Sequence, residues 1–165
     1  MASRASSKTY RFGVVTVSDR AAAGVYADKS GPAVVQVLAA QFPTATIETR
    51  IVPDDADAIR AALRWDPPMD AVLTTGGTGL GPRDITPEVT REYCEREVPG
   101  LAEFLRYRSA QTVPSAVLSR GYCGVAGKTL YINVPGSTSG ARQCTELVVP
   151  VLAHAVQMLA GGGHG

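Results

Sequence analysis

Histidine occurs only twice and cysteine only three times in the 165 residues. Cys94, Cys123 and Cys144 are widely spaced, odd in number and without any C-x-x-C. That pattern excludes a disulfide framework and a cysteine zinc site. Cys94 and Cys144 fall in helical patterns and read as buried free thiols. His154 reads as a surface or packed helix residue, and His164 lies in the tail. Charge of one sign is also lacking: 16 Lys and Arg stand against 15 Asp and Glu, a formal net charge of +1. A broad basic surface for nucleic acid is thereby excluded, though a local basic pocket is not. No apolar run reaches the roughly 20 residues that a membrane helix needs. The polar stretch Met1–Thr9 carries Arg4 and Lys8 but no apolar core, so no secretory signal is expected. These absences predict a cytoplasmic protein with neither nucleic acid nor membrane as partner.

Glycine and proline are plentiful, at 17 and 11 residues. They imply many tight turns and several helix starts. With 45% hydrophobic and 19% charged residues, the chain has the composition of a soluble globular protein of one domain. We expect a flexible arm over residues 1–10, a single domain over 11–159 and a flexible tail over 160–165. No internal repeat is present. Arg11–Ser18 is β-branched and apolar, a first strand. Ser30-Gly31-Pro32 opens a helix with Pro at its first position, and Val34, Val35, Leu38 and Phe42 form its apolar face. Thr46–Val52 alternates as a second strand. A helix with Ile59, Ala62 and Leu63 follows, capped by Asp54 or Asp55. Ala71–Thr75 reads as a buried parallel strand.

Further helices are expected from Pro87 to near Glu97 and from Leu101 to Ala110. Arg106, Tyr107 and Arg108 on the latter read as a solvated face rather than an anion site. Val113–Arg120 reads as a short helix, Gly121–Lys128 as a hairpin-like loop, and Thr129–Val134 as a further buried strand. A long helix then runs through Met158, with Pro150 expected to kink or divide it. The alternation of strands and helices predicts an α/β fold: a three-layer αβα sandwich around a mostly parallel sheet.

The sequence is organised around Thr74-Thr75-Gly76-Gly77-Thr78-Gly79-Leu80-Gly81-Pro82-Arg83-Asp84-Ile85-Thr86-Pro87-Glu88. A strand runs into four glycines, then Arg83 and Asp84, then a helix start with Thr86 as N-cap. Backbone N–H groups approach an anion closely in such a loop, and a helix N-terminus adds a partial positive charge. It is neither a P-loop, since no Gly-Lys-Ser/Thr follows, nor the dinucleotide fingerprint, whose third glycine comes one place later. The alternative is a tight turn with a surface Arg–Asp pair. Ser18 and Asp19 lie beyond the first strand, where ligand groups gather in open α/β sheets. With Ser30, they either contact a polar ligand or cap turns. Asp54 ends the second strand on the same side as Asp84. It either caps the next helix or joins Asp84 in holding a divalent cation that bridges phosphates. Pro135-Gly136-Ser137-Thr138-Ser139-Gly140 is a second small-residue loop at a strand end.

These residues resemble the molybdopterin-binding family of the MogA and MoaB proteins. The resemblance rests on Thr74–Gly79 with Pro82–Glu88, on Val17–Arg20 with Asp28–Pro32, and on Val52-Pro53-Asp54. Val98-Pro99-Gly100, Pro114–Arg120 and Asn133–Ser137 follow in the family's order, so that it spans about Arg11 to Leu159. The resemblance implies a molybdopterin adenylyltransferase, usually trimeric, in which the terminal phosphate of molybdopterin attacks the α-phosphorus of Mg²⁺-bound ATP. It implies that Asp84 and Asp54 organise magnesium. Ser18, Asp19, Ser30, Gly76, Gly77, Thr78, Gly79, Ser119, Pro135, Gly136 and Ser137 are then the pocket for pterin and nucleotide. A metal-insertion protein of the same pathway is the implied partner. Where some MogA-type members have a Lys near the second loop, this chain has Ser137-Thr138-Ser139 and then Arg142, closer to MoaB. The alternative implied is a MoaB-type pterin-binding or carrier module without catalysis.

Overall fold

A computed structural model describes residues 8–161. The expected sandwich is present. Six strands form one sheet in the order β2-β1-β3-β6-β5-β4: β1 (Arg11–Val17), β2 (Thr46–Val52), β3 (Ala71–Thr75), β4 (Arg96–Glu97), β5 (Cys123–Ala126) and β6 (Thr129–Val134). β2, β1, β3 and β6 are parallel, and β5 is antiparallel to both β6 and β4.

The helices are α1 (Asp19–Ala22), α2 (Ser30–Gln41), α3 (Ala56–Leu63), α4 (Thr86–Tyr93), α5 (Pro99–Ala110) and α6 (Thr138–Leu159), with a 3₁₀ turn at Pro114–Leu118. Strand alternation sorts the core into two layers. Phe12, Val14, Leu73 and Ile132 pack with Leu38, Leu105 and Leu152 on the α2, α5 and α6 side. Val15, Val17, Val72 and Tyr131 pack with Ile59, Leu63 and Val89 on the α3 and α4 side. On that second face a buried polar group replaces apolar packing near the strand ends. Asn133 Nδ2 donates to Thr74 Oγ1 at 2.8 Å and to Thr90 Oγ1 at 3.0 Å, while its Oδ1 accepts the Tyr122 N–H at 3.1 Å. Every polar atom of Asn133's side chain is thus bonded, which ties α4 to β3 and β6 without an unsatisfied group.

Several boundaries differ from expectation. Ser18, just beyond the first strand, caps a one-turn helix, α1. Pro32 is the third residue of α2 rather than the first. α4 ends at Tyr93, because Glu95 N and Val98 N turn to the carbonyls of Val125 and Cys123 and begin the β4–β5 pairing. Cys94 consequently lies past the helix and is only half-buried. Part of the Gly121–Lys128 loop is strand β5, its Gly127 taking the positive φ of 57° that the hairpin turn requires. α6 runs undivided through Pro150, whose side is exposed. Of the expected arm, Lys8–Tyr10 are engaged: Lys8 Nζ pairs with Asp70 at 2.7 Å, and the Tyr10 ring meets Phe42 at 4.9 Å. Residues 1–7 and 162–165, including His164, lie outside the described residues.

Candidate functional site

The parallel strands β1, β2, β3 and β6 end on one edge of the sheet, so the loops after Val17, Val52, Thr75 and Val134 meet there. Gly76 and Gly77 take φ of 100° and 67°, conformations open to glycine at little cost. A Cβ on Gly76 would stand 2.2 Å from Val17 O, and one on Gly77 2.2 Å from Thr86 Oγ1. The strand ends therefore approach backbone to backbone. Thr75 Oγ1 donates to Pro135 O at 2.8 Å and Gly76 N to Val134 O at 3.2 Å, joining the two small-residue loops. Gly136 lies against Gly76, where an added Cβ would be 3.1 Å from the Gly76 Cα.

An acidic group lies on the β1 and β2 side of the glycine loop. Asp55, not Asp54, caps α3, accepting the Ala58 N–H at 2.9 Å. Asp54 instead forms a reciprocal pair with Asp19: each backbone N–H donates to the other's carboxylate at 3.0 Å. The Arg83 guanidinium forks onto Asp19, Nε to Oδ2 at 2.6 Å and Nη2 to Oδ1 at 2.9 Å, and reaches Asp54 O at 3.0 Å. Arg83 holds the Asp19 carboxyl below its usual range. Burial pushes Asp54 upward, and the negative charges of Asp19 and Asp84 add to the rise. Asp84 closes its own turn, its Oδ2 accepting the Gly81 N–H at 2.9 Å. Thus Asp54 and Asp84 flank one loop, with Asp54 Oδ1 against Gly77 and Asp84 Oδ2 against Gly79 and Gly81.

The other side of that loop opens on a cavity of about 790 Å³. Thr78, Gly79, Ser119, Pro135 and Ser137 line it, five of the eleven residues that the resemblance assigns to the pocket. Gly76, Gly77, Asp19, Asp54 and Asp84 lie outside that lining, so the candidate residues divide into an acidic compartment and a cavity, with the loop as partition. Ser18 Oγ is engaged locally, accepting from Ala21 N at 3.2 Å and lying 3.2 Å from the Tyr26 hydroxyl. Ser30 is 7% exposed and donates to Asp28 Oδ1 at 3.2 Å. Asp28 also accepts from Thr16 Oγ1 at 2.6 Å and from Gly31 N at 3.1 Å. These bonds make Ser30 part of the knot that starts α2, apart from the cavity. Ser119 Oγ accepts from Gly121 N at 3.3 Å, and Ser137 caps α6 through Gly140 N at 3.2 Å. Thr86, expected as N-cap, is the first helical residue behind Ile85. Its buried Oγ1 faces the Gly77 backbone and has no hydrogen-bond partner.

Sequence reasoning missed Asp28, and it gave Arg83 and Arg120 no role in the site. A lone charged residue in a loop carries no signal of its partner until the fold joins them. Arg142 does line the cavity, its Nη2 donating to Gln36 at 2.7 Å. The thiols offer no nucleophile: burial pushes Cys94 and Cys123 up to about 12. No set of three or more His, Cys, Asp or Glu capable of holding a metal occurs among the described residues. No helix among them is long and apolar enough to cross a membrane.

Comparison with known proteins covers nearly the whole chain. Residues 13–154 match the family described as "Probable molybdopterin binding domain". A molybdopterin adenylyltransferase of Helicobacter pylori strain J99 is 40% identical over 159 residues, covering 93% of this chain and 90% of that protein. The crystal structure of the molybdopterin biosynthesis enzyme MoaB from Thermus thermophilus superposes with a TM-score of 0.85 at 46% identity, covering 93% of this chain and 98% of that one. The molybdenum cofactor synthesis protein cinnamon of Drosophila melanogaster is 40% identical over 151 residues, but this chain spans only 25% of its length.

Proposed function

The chain belongs to the molybdopterin-binding family of the MogA and MoaB proteins, and from that membership we propose that it is a molybdopterin adenylyltransferase. The terminal phosphate of molybdopterin attacks the α-phosphorus of ATP. A phosphate oxygen forms the new bond to phosphorus, the bond to the bridging oxygen of pyrophosphate breaks, and pyrophosphate leaves with that electron pair. The observation that carries this reading is that both carboxylates lie against glycines of one loop, Asp54 Oδ1 3.3 Å from where a Cβ on Gly77 would stand and Asp84 Oδ2 2.9 Å from one on Gly79, and that the same loop lines a cavity. A pure binder of an anionic pterin gains nothing from two carboxylates near phosphates, since they repel it.

The donor set fits magnesium. Mg²⁺ is held by one or two carboxylates plus phosphates and water rather than by an all-protein cage. Asp54 and Asp84 would supply the two carboxylates, and a cation would offset the burial and the neighbouring negative charges that raise Asp54. When bound, the cation would neutralise the triphosphate and the developing pyrophosphate charge. The chain's own groups do the rest. The N–H donors around Gly77–Gly79 and the start of α4 orient phosphate. The cavity offers room for the remaining substrate body. The nucleophile is already ionised, so no residue serves as general base, and the main contributions are positioning and charge neutralisation. We further propose a cytoplasmic homotrimer that hands its product to a metal-inserting protein. Light scattering that gives the mass of one chain would remove the trimer.

The deciding experiment is pyrophosphate release from molybdopterin and Mg²⁺·ATP, paired with calorimetric binding of molybdopterin. In Asp84→Asn, release is expected to fall by about 100-fold or more while molybdopterin binding is retained. Wild-type protein that binds molybdopterin and releases no pyrophosphate is instead a carrier, with the Ser137-Thr138-Ser139 loop as the first suspect.

A further inference from the structure

The loop that carries Asp84 has few means of holding its own shape. Gly79, Gly81 and Pro82 interrupt it, and Leu80, Gly81, Pro82 and Arg83 are exposed. Within it, the turn between Gly81 and Asp84 is self-bonded, and the Thr86 N–H closes the base of the loop onto Gly77 O at 3.2 Å. Two arginines brace the stretch between, Arg83 from within the loop and Arg120 from outside it. Arg83 ties the loop outward to Asp19 and Asp54. Arg120 lies 36 residues further along the chain than Asp84, just past the 3₁₀ turn, and holds the loop from the opposite side. Its backbone N–H donates to Thr78 O at 2.9 Å and its Nε to Gly79 O at 2.8 Å. Its Nη2 donates to Asp84 O and its Nη1 to Glu88.

We propose that Arg120 is a positioning residue of the transfer reaction, acting through the carbonyls of Gly79 and Asp84 to fix the Asp84 carboxylate against Asp54. The proposal rests on the adenylyltransferase reading. Guanidinium is the group suited to this role, because its donors lie in one rigid plane and reach both ends of the loop at once. An ammonium keeps the charge but concentrates its donors at one point. The attachment is to backbone carbonyls, so it fixes the loop path whatever side chains the loop carries. The same bonds brace the partition between the acidic compartment and the cavity, because Gly79 lines the cavity. Glu88 balances the guanidinium charge but is attached to α4, not to the loop, and its bond is separable from the clamp.

The test compares wild-type protein with Arg120→Lys and Glu88→Gln by hydrogen exchange in the ligand-free state and by steady-state pyrophosphate release. In Arg120→Lys, amides of residues 78–84 are expected to exchange about 10-fold faster while the sheet amides are unchanged. The kcat should fall by about 100-fold, as for a small displacement of a reacting group, with the KM for molybdopterin within about 2-fold. The Mg²⁺ concentration at half-maximal rate should rise by about 10-fold. Glu88→Gln should match wild type in all four measurements. Wild-type exchange and turnover in Arg120→Lys would overturn the proposal. So would faster exchange spread over the whole sheet, or an equal defect in Glu88→Gln. Absence of pyrophosphate release in the wild type would instead remove the transferase reading, while the exchange comparison would still decide whether Arg120 holds the loop.

Discussion

Asp54 illustrates how a carboxylate beside the glycine loop burdens its own fold. It is only partly exposed, and Asp19 and Asp84 lie near it. Its carboxyl is therefore raised in the folded protein, with burial the first cause and the neighbouring charges a further one. A raised acid binds its proton more tightly when folded than when unfolded. The stability it contributes is fully present below the unfolded value of 3.8 and is lost as pH rises through the folded value. Asp54→Asn removes that loss while keeping an oxygen for the Asp19 N–H. The melting temperature of the ligand-free variant should therefore gain on wild type as pH rises from 3 to 7. The gap is expected to reach only about 1–2 °C, because a half-exposed charge is screened. Melting curves of both proteins across that range check the sign, and a gap that shrinks with rising pH would contradict it. Asp19 has the opposite sense, since Arg83 lowers it, so its contribution is lost as pH falls through its folded value. The two effects separate because Asp54→Asn leaves the Asp19–Arg83 pair in place.

At the scale of the elements, the parallel strands and the loops beyond them were legible, because side-chain periodicity and glycine clusters are local signals. β1, β2, β3 and β6 all follow that rule. β4 and β5 did not, at two and four residues. They exist because the edge of β6 offers unpaired backbone groups, which is tertiary information. The acidic side of the site was partly legible, since Asp54 and Asp84 both follow strands. Arg120 and the separation of the cavity from the acidic compartment were not, since neither has a local pattern. The glycine loop also gives an element-scale prediction. Gly76 combines a φ of 100° with the Val17 carbonyl 2.2 Å from any Cβ, whereas Gly24, at 72°, has nothing within 4 Å. Gly24→Ala should cost about 1 kcal/mol, from backbone strain alone. Gly76→Ala adds displacement of β1 and should cost about 3 kcal/mol or more, lowering the melting temperature by roughly 6–12 °C. Urea unfolding with unchanged slope would measure both. Equal costs at the two positions would mean that the β1–β3 approach is soft.

The site is a property of the whole molecule, because its groups come from residues 18–19, 54, 76–84, 119–120 and 135–137. Ligand binding therefore ties together the ends of four strands and the start of α4 and α6, and stabilises the fold by mass action. At about 100 times the dissociation constant, one ligand adds about 2.7 kcal/mol, or roughly 5–10 °C for a chain of this size. The two compartments make the pattern of shifts informative. ATP should raise the melting temperature further with Mg²⁺ than with a chelator, since Asp54 and Asp84 repel an uncompensated triphosphate. Asp84→Asn should lose most of that Mg²⁺-dependent increment, yet keep the full shift from molybdopterin. If ATP stabilises wild-type protein equally with and without Mg²⁺, the carboxylates do not hold a cation between them, and their place beside the glycine loop needs another explanation. If molybdopterin loses its shift in Asp84→Asn as well, the loop is not a partition, and the acidic compartment and the cavity act as one pocket.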